Sequence, residues 1–341
     1  MSTATGDLAT DLALIDATLE RVGRLRLAPP APLDSGRNHN YRVETAPGPL
    51  CVRIHRHTRG RERIELGLAA LQHAAARGIP VAAPLTAGGA VLFEVDGRFT
   101  SVYPWIEAKS HTRFALERHD AAAVGQVHGR LMRAIESFQD SALKPATELY
   151  WDAERSLSDL ARLEAVLRRD GVPGFDSAVL LTDIAVQRRH IESGVLARPS
   201  DFDAIGRQPI HGDVHEGNVL IASDGTVAAV IDWDMVAIGP PLYEVIRALD
   251  FTHALDAPDA LEAYLAAYAA EAPYTAADAE AIVNLWAAST VHNTWSFRAL
   301  LLEGDRRVDP FIPAHRHRIR QFTDPAYRAW LKDCLTTFAS D

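Results

Sequence analysis

Apolar residues recur at helical spacing in some stretches of the chain and alternate or cluster at strand spacing in others. Leu8, Leu12, Ile15, Leu19 and Val22 share one face of a 3.6-residue period, which predicts an amphipathic helix over 8–22. A proline-rich stretch at 28–32 ends it. Two short strand-like runs, 41–45 and 50–55, are joined by Ala46-Pro47-Gly48-Pro49 and read as a hairpin. Helical spacing returns over 62–77 and stops at Gly78, with Pro80 just beyond. Runs at 91–95 and 99–103 flank Asp96-Gly97, a favoured two-residue hairpin turn. The first hundred residues therefore predict a mostly antiparallel sheet with one inserted helix.

After Trp105 the pattern becomes predominantly helical, over 118–137, 153–169, 177–192, 243–255, 257–270 and 276–301, with a strand pair within 219–231. The predicted fold class is α+β and bilobal. A small antiparallel β lobe over 1–104 meets a larger, mainly helical lobe over 105–341, through a crossing segment near 103–107. A cleft between two such lobes is a natural ligand site.

Composition narrows the function. The 341 residues, 48% hydrophobic and 23% charged, suffice for a substantial core. Acidic residues outnumber basic ones 45 to 35, a net charge of −10, which argues against a nucleic-acid partner and leans weakly toward a cationic small molecule. Cys51 and Cys334 cannot make a disulfide framework. Residues 1–12 lack a secretory pattern, and no apolar run is long enough to span a bilayer. The expectation is a cytoplasmic protein without a membrane partner, monomer or homodimer.

The chemistry concentrates in His211-Gly212-Asp213-Val214-His215-Glu216-Gly217-Asn218, followed by Ile231-Asp232-Trp233-Asp234. Asp224-Gly225 between the two runs predicts a type I′ hairpin that pairs Asn218 opposite Ile231. Asn218 and Asp232 then emerge together at the ribbon's open end, where the Asp213 loop enters. An amide oxygen beside a carboxylate makes a hard oxygen site suited to Mg²⁺. Phosphoryl transfer needs charge neutralisation, in-line positioning and an acceptor for the hydroxyl proton, and Asp213 is free for the last.

His211-Gly212-Asp213-x-His215-x-x-Asn218 with Ile231-Asp232-Trp233-Asp234 resembles the signature of the aminoglycoside phosphotransferase and choline kinase-like superfamily, which includes type II homoserine kinases and a bacterial stress-response Ser/Thr kinase. The resemblance implies a protein-kinase-like fold using ATP and Mg²⁺. Asp213 would be the catalytic base, Asn218 and Asp232 the metal ligands, and Asp234 a second-metal or acceptor-side residue. Residues 35–43, with Gly36, Asn38 and Asn40, resemble the nucleotide loop. Arg53 stands where the family usually has a phosphate-binding Lys, a departure that keeps the charge. Its acidic partner is expected on the following helix, at Glu65, with Glu62 as the alternative, and Cys51 would cover the adenine. Tyr103-Pro104-Trp105 resembles the hinge that reads the adenine edge.

Other residues have plainer readings. Glu244 in Gly239-Pro240-Pro241-Leu242-Tyr243-Glu244 reads as a helix N-terminal acid. His128 reads as a buried packing or hydrogen-bonding residue. Trp286, His292, Asn293, Trp295 and Arg298 read as helix core rather than an acceptor wall.

These features favour transfer of the ATP γ-phosphate to the hydroxyl of a small molecule such as an amino alcohol, homoserine, a sugar or an aminoglycoside-type antibiotic. A Ser/Thr protein kinase is the alternative. A metal-dependent hydrolase using His211, Asp213 and His215, or a non-catalytic nucleotide-binding module, explains less of the chain.

Overall fold

The computed structural model describes residues 4–33, 38–56, 58–108, 116–146, 149, 151–194, 202 and 205–340. Helix α1 (Ala4–Arg21) packs Leu14, Ile15 and Leu19 against one face of a five-stranded antiparallel sheet. The strands are β1 (Ala31–Leu33), β2 (His39–Val43), β3 (Leu50–Ile54), β4 (Phe93–Val95) and β5 (Arg98–Pro104), in the order β1-β2-β3-β5-β4. Alternation sets this face: Tyr41, Val43, Leu50, Val52, Ile54 and Val102 point into the small core. Asp96 and Gly97 both take positive φ, so the β4–β5 turn has the type I′ form that the sequence predicts. Helix α2 (Arg61–Ala75) is inserted between β3 and β4, and the turn after it closes at Gly78, whose φ is +79°.

The larger part is mainly helical. It contains α3 (Arg118–Ile135), α4 (Ala153–Asp170), α5 (Ser177–Ser193), α6 (Pro241–Phe251), α7 (Pro258–Glu271), α8 (Ala276–His292), α9 (Trp295–Leu302), α10 (Phe311–Thr323) and α11 (Pro325–Thr336). Two short ribbons interrupt the helices: β6 (Gln208–Ile210) pairs with β9 (Ala237–Gly239), and β7 (Val219–Ile221) with β8 (Val227–Val230). The fold is α+β, a small antiparallel lobe beside a larger helical one.

Helix α3 lies unusually close to α7. A Cβ at Gly125 would sit 2.3 Å from the Tyr264 carbonyl oxygen, and one at Gly129 would sit 2.7 Å from that of Tyr268. The missing side chains admit the neighbouring backbone.

Three sequence expectations need correction. The helix expected over 276–301 is two, because Asn293 is extended and its Oδ1 accepts from the Trp295 amide, starting a new helix. The segment 243–255 is helical only to Phe251, then continues as a 3₁₀ turn, Ala254–Asp256. The Asp224-Gly225 hairpin is not type I′, since only Gly225 of the two takes positive φ. Ala222 N–H bonds Thr226 O instead, leaving three residues in the loop. A bulge between Leu220 and Ile221 absorbs the difference, so Val219 still pairs with Val230. Ile231 N–H accordingly bonds Asn218 O at 2.9 Å.

Candidate active site

The β7–β8 ribbon ends with Asn218 on one strand and Asp232 following the other. Asp232 has φ +60° and ψ +65°, an uncommon left-handed conformation for a non-glycine residue that turns the chain into the 3₁₀ segment Trp233–Met235. The loop after β6 brings Asp213 to the same place.

This loop is held by buried groups. Glu244, fully buried on α6, accepts from the His211 N–H at 3.0 Å and the Gly212 N–H at 2.5 Å. Its role is therefore larger than that of a helix N-terminal acid: it anchors the backbone that leads into Asp213. Burial alone would raise the Glu244 carboxyl, but His128 first, then His211 and the Gly212 amide, hold it below its usual value. His128 is fully buried 3.7 Å from that carboxylate and hydrogen-bonds the Tyr264 hydroxyl at 2.5 Å. Gly212 takes φ +82°, and a Cβ there would meet the Met235 carbonyl oxygen at 2.3 Å, so the Asp213 loop and the Asp232 turn interlock through a residue without a side chain.

His211 is fully buried; its Nε2 donates to Ile231 O at 3.1 Å, and its Nδ1 accepts from the Asp213 amide at 3.3 Å. Burial lowers its pKa, against the opposing pull of Glu244 and Asp213. With both nitrogens engaged, His211 is a strut of the loop and not a metal ligand, which removes the basis of the hydrolase reading.

Asp213 is gripped on both oxygens. Arg247 Nη2 donates to Oδ1 at 2.6 Å, Asn218 Nδ2 donates to Oδ2 at 3.0 Å, and Arg247 Nε also bonds the Gly212 carbonyl at 3.0 Å. Burial would raise the Asp213 carboxyl, but the Arg247 guanidinium, then His215 and His211, more than offset this and hold it below its ordinary value. Arg247 is a site residue that the sequence reading missed. Its signal was the position three residues after Glu244, which places both on one face of α6.

Across the cleft, Arg53 on β3 donates from Nε to Asn40 Oδ1 at 3.0 Å and from Nη1 to Asp232 Oδ1 at 3.2 Å. Asp234 Oδ1 lies 3.8 Å from the same Nη1. Asp234 also accepts from Asn38 Nδ2 at 2.8 Å and pairs with Arg59 Nη1 at 3.0 Å. Burial would raise its carboxyl, yet Arg53 and Arg59 keep it below the ordinary value. Arg59 and Arg63 were also missed, although five arginines between 53 and 63 are a visible run.

Glu65 is where the expectation fails. Its carboxylate is half exposed and pairs with Arg61 at 3.2 Å, one turn away on the same helix. Ile64, Gly67, Leu68 and Leu71 form the buried stripe of α2, and Glu65 falls off it. Glu62 is exposed as well. Tyr103 pairs with Cys51 across β3 and β5, and its hydroxyl accepts from Ser101 Oγ at 3.1 Å. The Trp105 amide already donates to Pro49 O at 3.2 Å and its ring lies under Arg42, so its backbone N–H is not free for an adenine edge. Gly36 lies outside the described residues.

A family model described as the phosphotransferase enzyme family matches residues 31–280. The chain belongs to that family. It is an enzyme that transfers a phosphoryl group to a hydroxyl acceptor. No curated protein matches the chain in sequence. Among solved structures, an amicoumacin kinase in complex with AMP-PNP, Ca²⁺ and its ligand is similar at TM-score 0.62 and 15% identity, covering 92% of this chain and 95% of that one. Spectinomycin phosphotransferase in complex with ADP and its substrate gives 0.61 at 14%, covering 95% and 97%. A microcompartment-associated aminopropanol kinase gives 0.59 at 20%, covering 96% and 98%. These likenesses establish the fold.

The donor set fits a magnesium-nucleotide. Asn218 directs its amide N–H group at Asp213, which turns its Oδ1 away from that carboxylate, and Asp232 keeps its side chain 29% exposed. One carboxylate and one amide oxygen leave room for waters and phosphate oxygens, the ligand set Mg²⁺ usually takes. Among the described residues no group of three or more His, Cys, Asp or Glu forms a metal cage. Bound there, the ion would supply charge neutralisation to the phosphates. Arg53 faces the same point from β3, and the Asp213 carboxylate lies beside Asn218. Among the described residues no helix is long and apolar enough to cross a membrane.

Proposed function

We propose that the protein transfers the γ-phosphate of ATP, bound with Mg²⁺ through Asn218 and Asp232, to a hydroxyl of a small molecule, with Asp213 as the base. The observation that carries this reading is the convergence of three groups: Asp213 fixed by Arg247 and Asn218, Asp232 at the end of the same ribbon, and Arg53 reaching Asp232 from the facing sheet. The acceptor hydroxyl gives its proton to Asp213 as its oxygen bonds to phosphorus and the bond to the ADP oxygen breaks.

The path after Asp232 supports a small acceptor over a protein. Only the 3₁₀ turn and β9 separate it from α6, and Ile238 in β9 is hydrogen-bonded to Lys144 and Ala146 on both its backbone groups. No length remains for a segment that would seat a polypeptide. The structurally similar enzymes carry names pointing to antibiotics and an amino alcohol, which sets the acceptor classes worth testing. We place the enzyme in the cytoplasm, where ATP is available.

The test is ADP release by the wild-type enzyme against amino alcohols, homoserine, sugars and aminoglycoside-type antibiotics, with a generic protein substrate alongside. One small-molecule class should stimulate turnover well above the basal rate. Phosphate appearing on the protein substrate, with no metabolite turned over, would contradict the proposal.

A further inference from the structure

The acid that orients Arg53 is absent from the place where the sequence resemblance puts it. Glu65 faces outward and belongs to Arg61, which is also bonded to Glu94 at 2.7 Å. Arg53 is nonetheless tightly held, with its side chain only 13% exposed. Its holders are Asn40 on the adjacent strand and two carboxylates from the other lobe, Asp232 and Asp234.

These two carboxylates are not equivalent. Asp232 stands at the ribbon's end beside Asn218, where it is needed for the metal. Asp234 is enclosed by cations and donors of the small lobe. Arg59 bonds both its carboxylate and its carbonyl oxygen at 3.0 Å, Arg63 bonds that carbonyl at 2.9 Å, and Asn38 bonds the carboxylate at 2.8 Å. A guanidinium is long and planar enough to make this crossing while its fork keeps several donors, which a lysine ammonium on the same strand would not match. The exchange of Lys for Arg and the outward turn of Glu65 are thus two sides of one arrangement.

We propose that Asp234 is the positioning residue for Arg53, holding its guanidinium toward the phosphates in place of a carboxylate on α2, and that it is not a ligand of a second magnesium. When Asp232 serves the metal, Asp234 is the carboxylate left to Arg53. The proposal rests on the nucleotide-binding reading of the site.

Calorimetric titration with ADP, once in EDTA and once with excess Mg²⁺, separates the possibilities. Asp234→Asn should weaken ADP binding about tenfold in both conditions, the size of one charge-assisted contact. Arg53→Gln combined with Asp234→Asn should bind no more weakly than Arg53→Gln alone. Glu65→Gln should bind as the wild type does. A loss confined to the magnesium titration would mark Asp234 as a metal ligand and overturn the proposal, as would additive losses in the double variant or weakened binding by Glu65→Gln. Should Asp234→Asn not unfold cooperatively, Asp234→Glu displaces the carboxylate by one methylene. It should weaken metal-free ADP binding in the wild-type background and leave Arg53→Gln unchanged; equal effects in both backgrounds overturn the proposal. If the wild-type protein binds ADP under neither condition, the nucleotide reading itself falls, and the proposal with it.

Discussion

Asp213, the base in the proposed reaction, is a carboxylate whose pKa its neighbours hold down. Its pKa is depressed, so the carboxylate form is present at neutral pH, and activity should persist until pH falls through that lowered value. Arg247→Met removes the largest lowering influence and leaves burial less opposed, which raises the pKa. The acidic limb of the kcat/KM profile should then move to higher pH, with activity recovering as pH rises; an unmoved limb contradicts the assigned electrostatics. At this scale the convergence of Asp213, Asn218 and Asp232 was legible because one hairpin brings Asn218 and Asp232 together and Asp213 stands five residues before Asn218. Glu65 misled because a one-residue offset on a helix changes the face by about 100°. Arg247, Arg59 and Arg63 were illegible as site groups because each acts through a partner remote in sequence, and only the fold brings arginine and aspartate together.

Elements built on apolar periodicity were readable from the chain, including α1 to α5 and the paired runs of the sheet. Helix α10 was not. It is basic along Arg316, His317, Arg318 and Arg320, and it docks partly through charge: Arg316 and Arg320 bind the buried Asp183, while Arg318 pairs with Asp250 on α6. Its buried stripe, Ile312, His315, Ile319 and Phe322, is short and includes a histidine, and the surrounding basic residues mask it. Strands β6 and β9 have three residues each, too few to show a period. The α3–α7 contact makes an element-level prediction. Gly125→Ala must push the Tyr264 backbone away, at a cost of about 1–3 kcal/mol, and should lower Tm by a few degrees. Because Tyr264 also holds His128 beside Glu244, the loss should appear in activity too. Thermal unfolding identical to the wild type would show that the close approach is not obligatory.

For the whole molecule, the two lobes meet through apolar packing, with Leu66, Ala70, Leu71 and Ala74 of α2 in the core of the larger lobe, and through charge. Strand β3, the connection after it and helix α2 of the small lobe send Arg53, Arg59 and Arg63 in turn onto the turn that follows the β7–β8 ribbon, and Gly67 of α2 lies against the Trp233 carbonyl of that turn. The change from strands to helices beyond β5 was readable in the pattern, whereas this seam was not, since a run of arginines in sequence gives no partner. Nucleotide phosphates would enter at the seam and meet cations already oriented. The central claim is that Asp213 acts on the acceptor and not on the nucleotide. It is tested most directly by comparing Asp213→Asn with the wild type in MgATP affinity and in acceptor-stimulated ADP release. The account predicts unchanged affinity with turnover lower by about 10²–10⁴-fold; turnover equal to the wild type would contradict it.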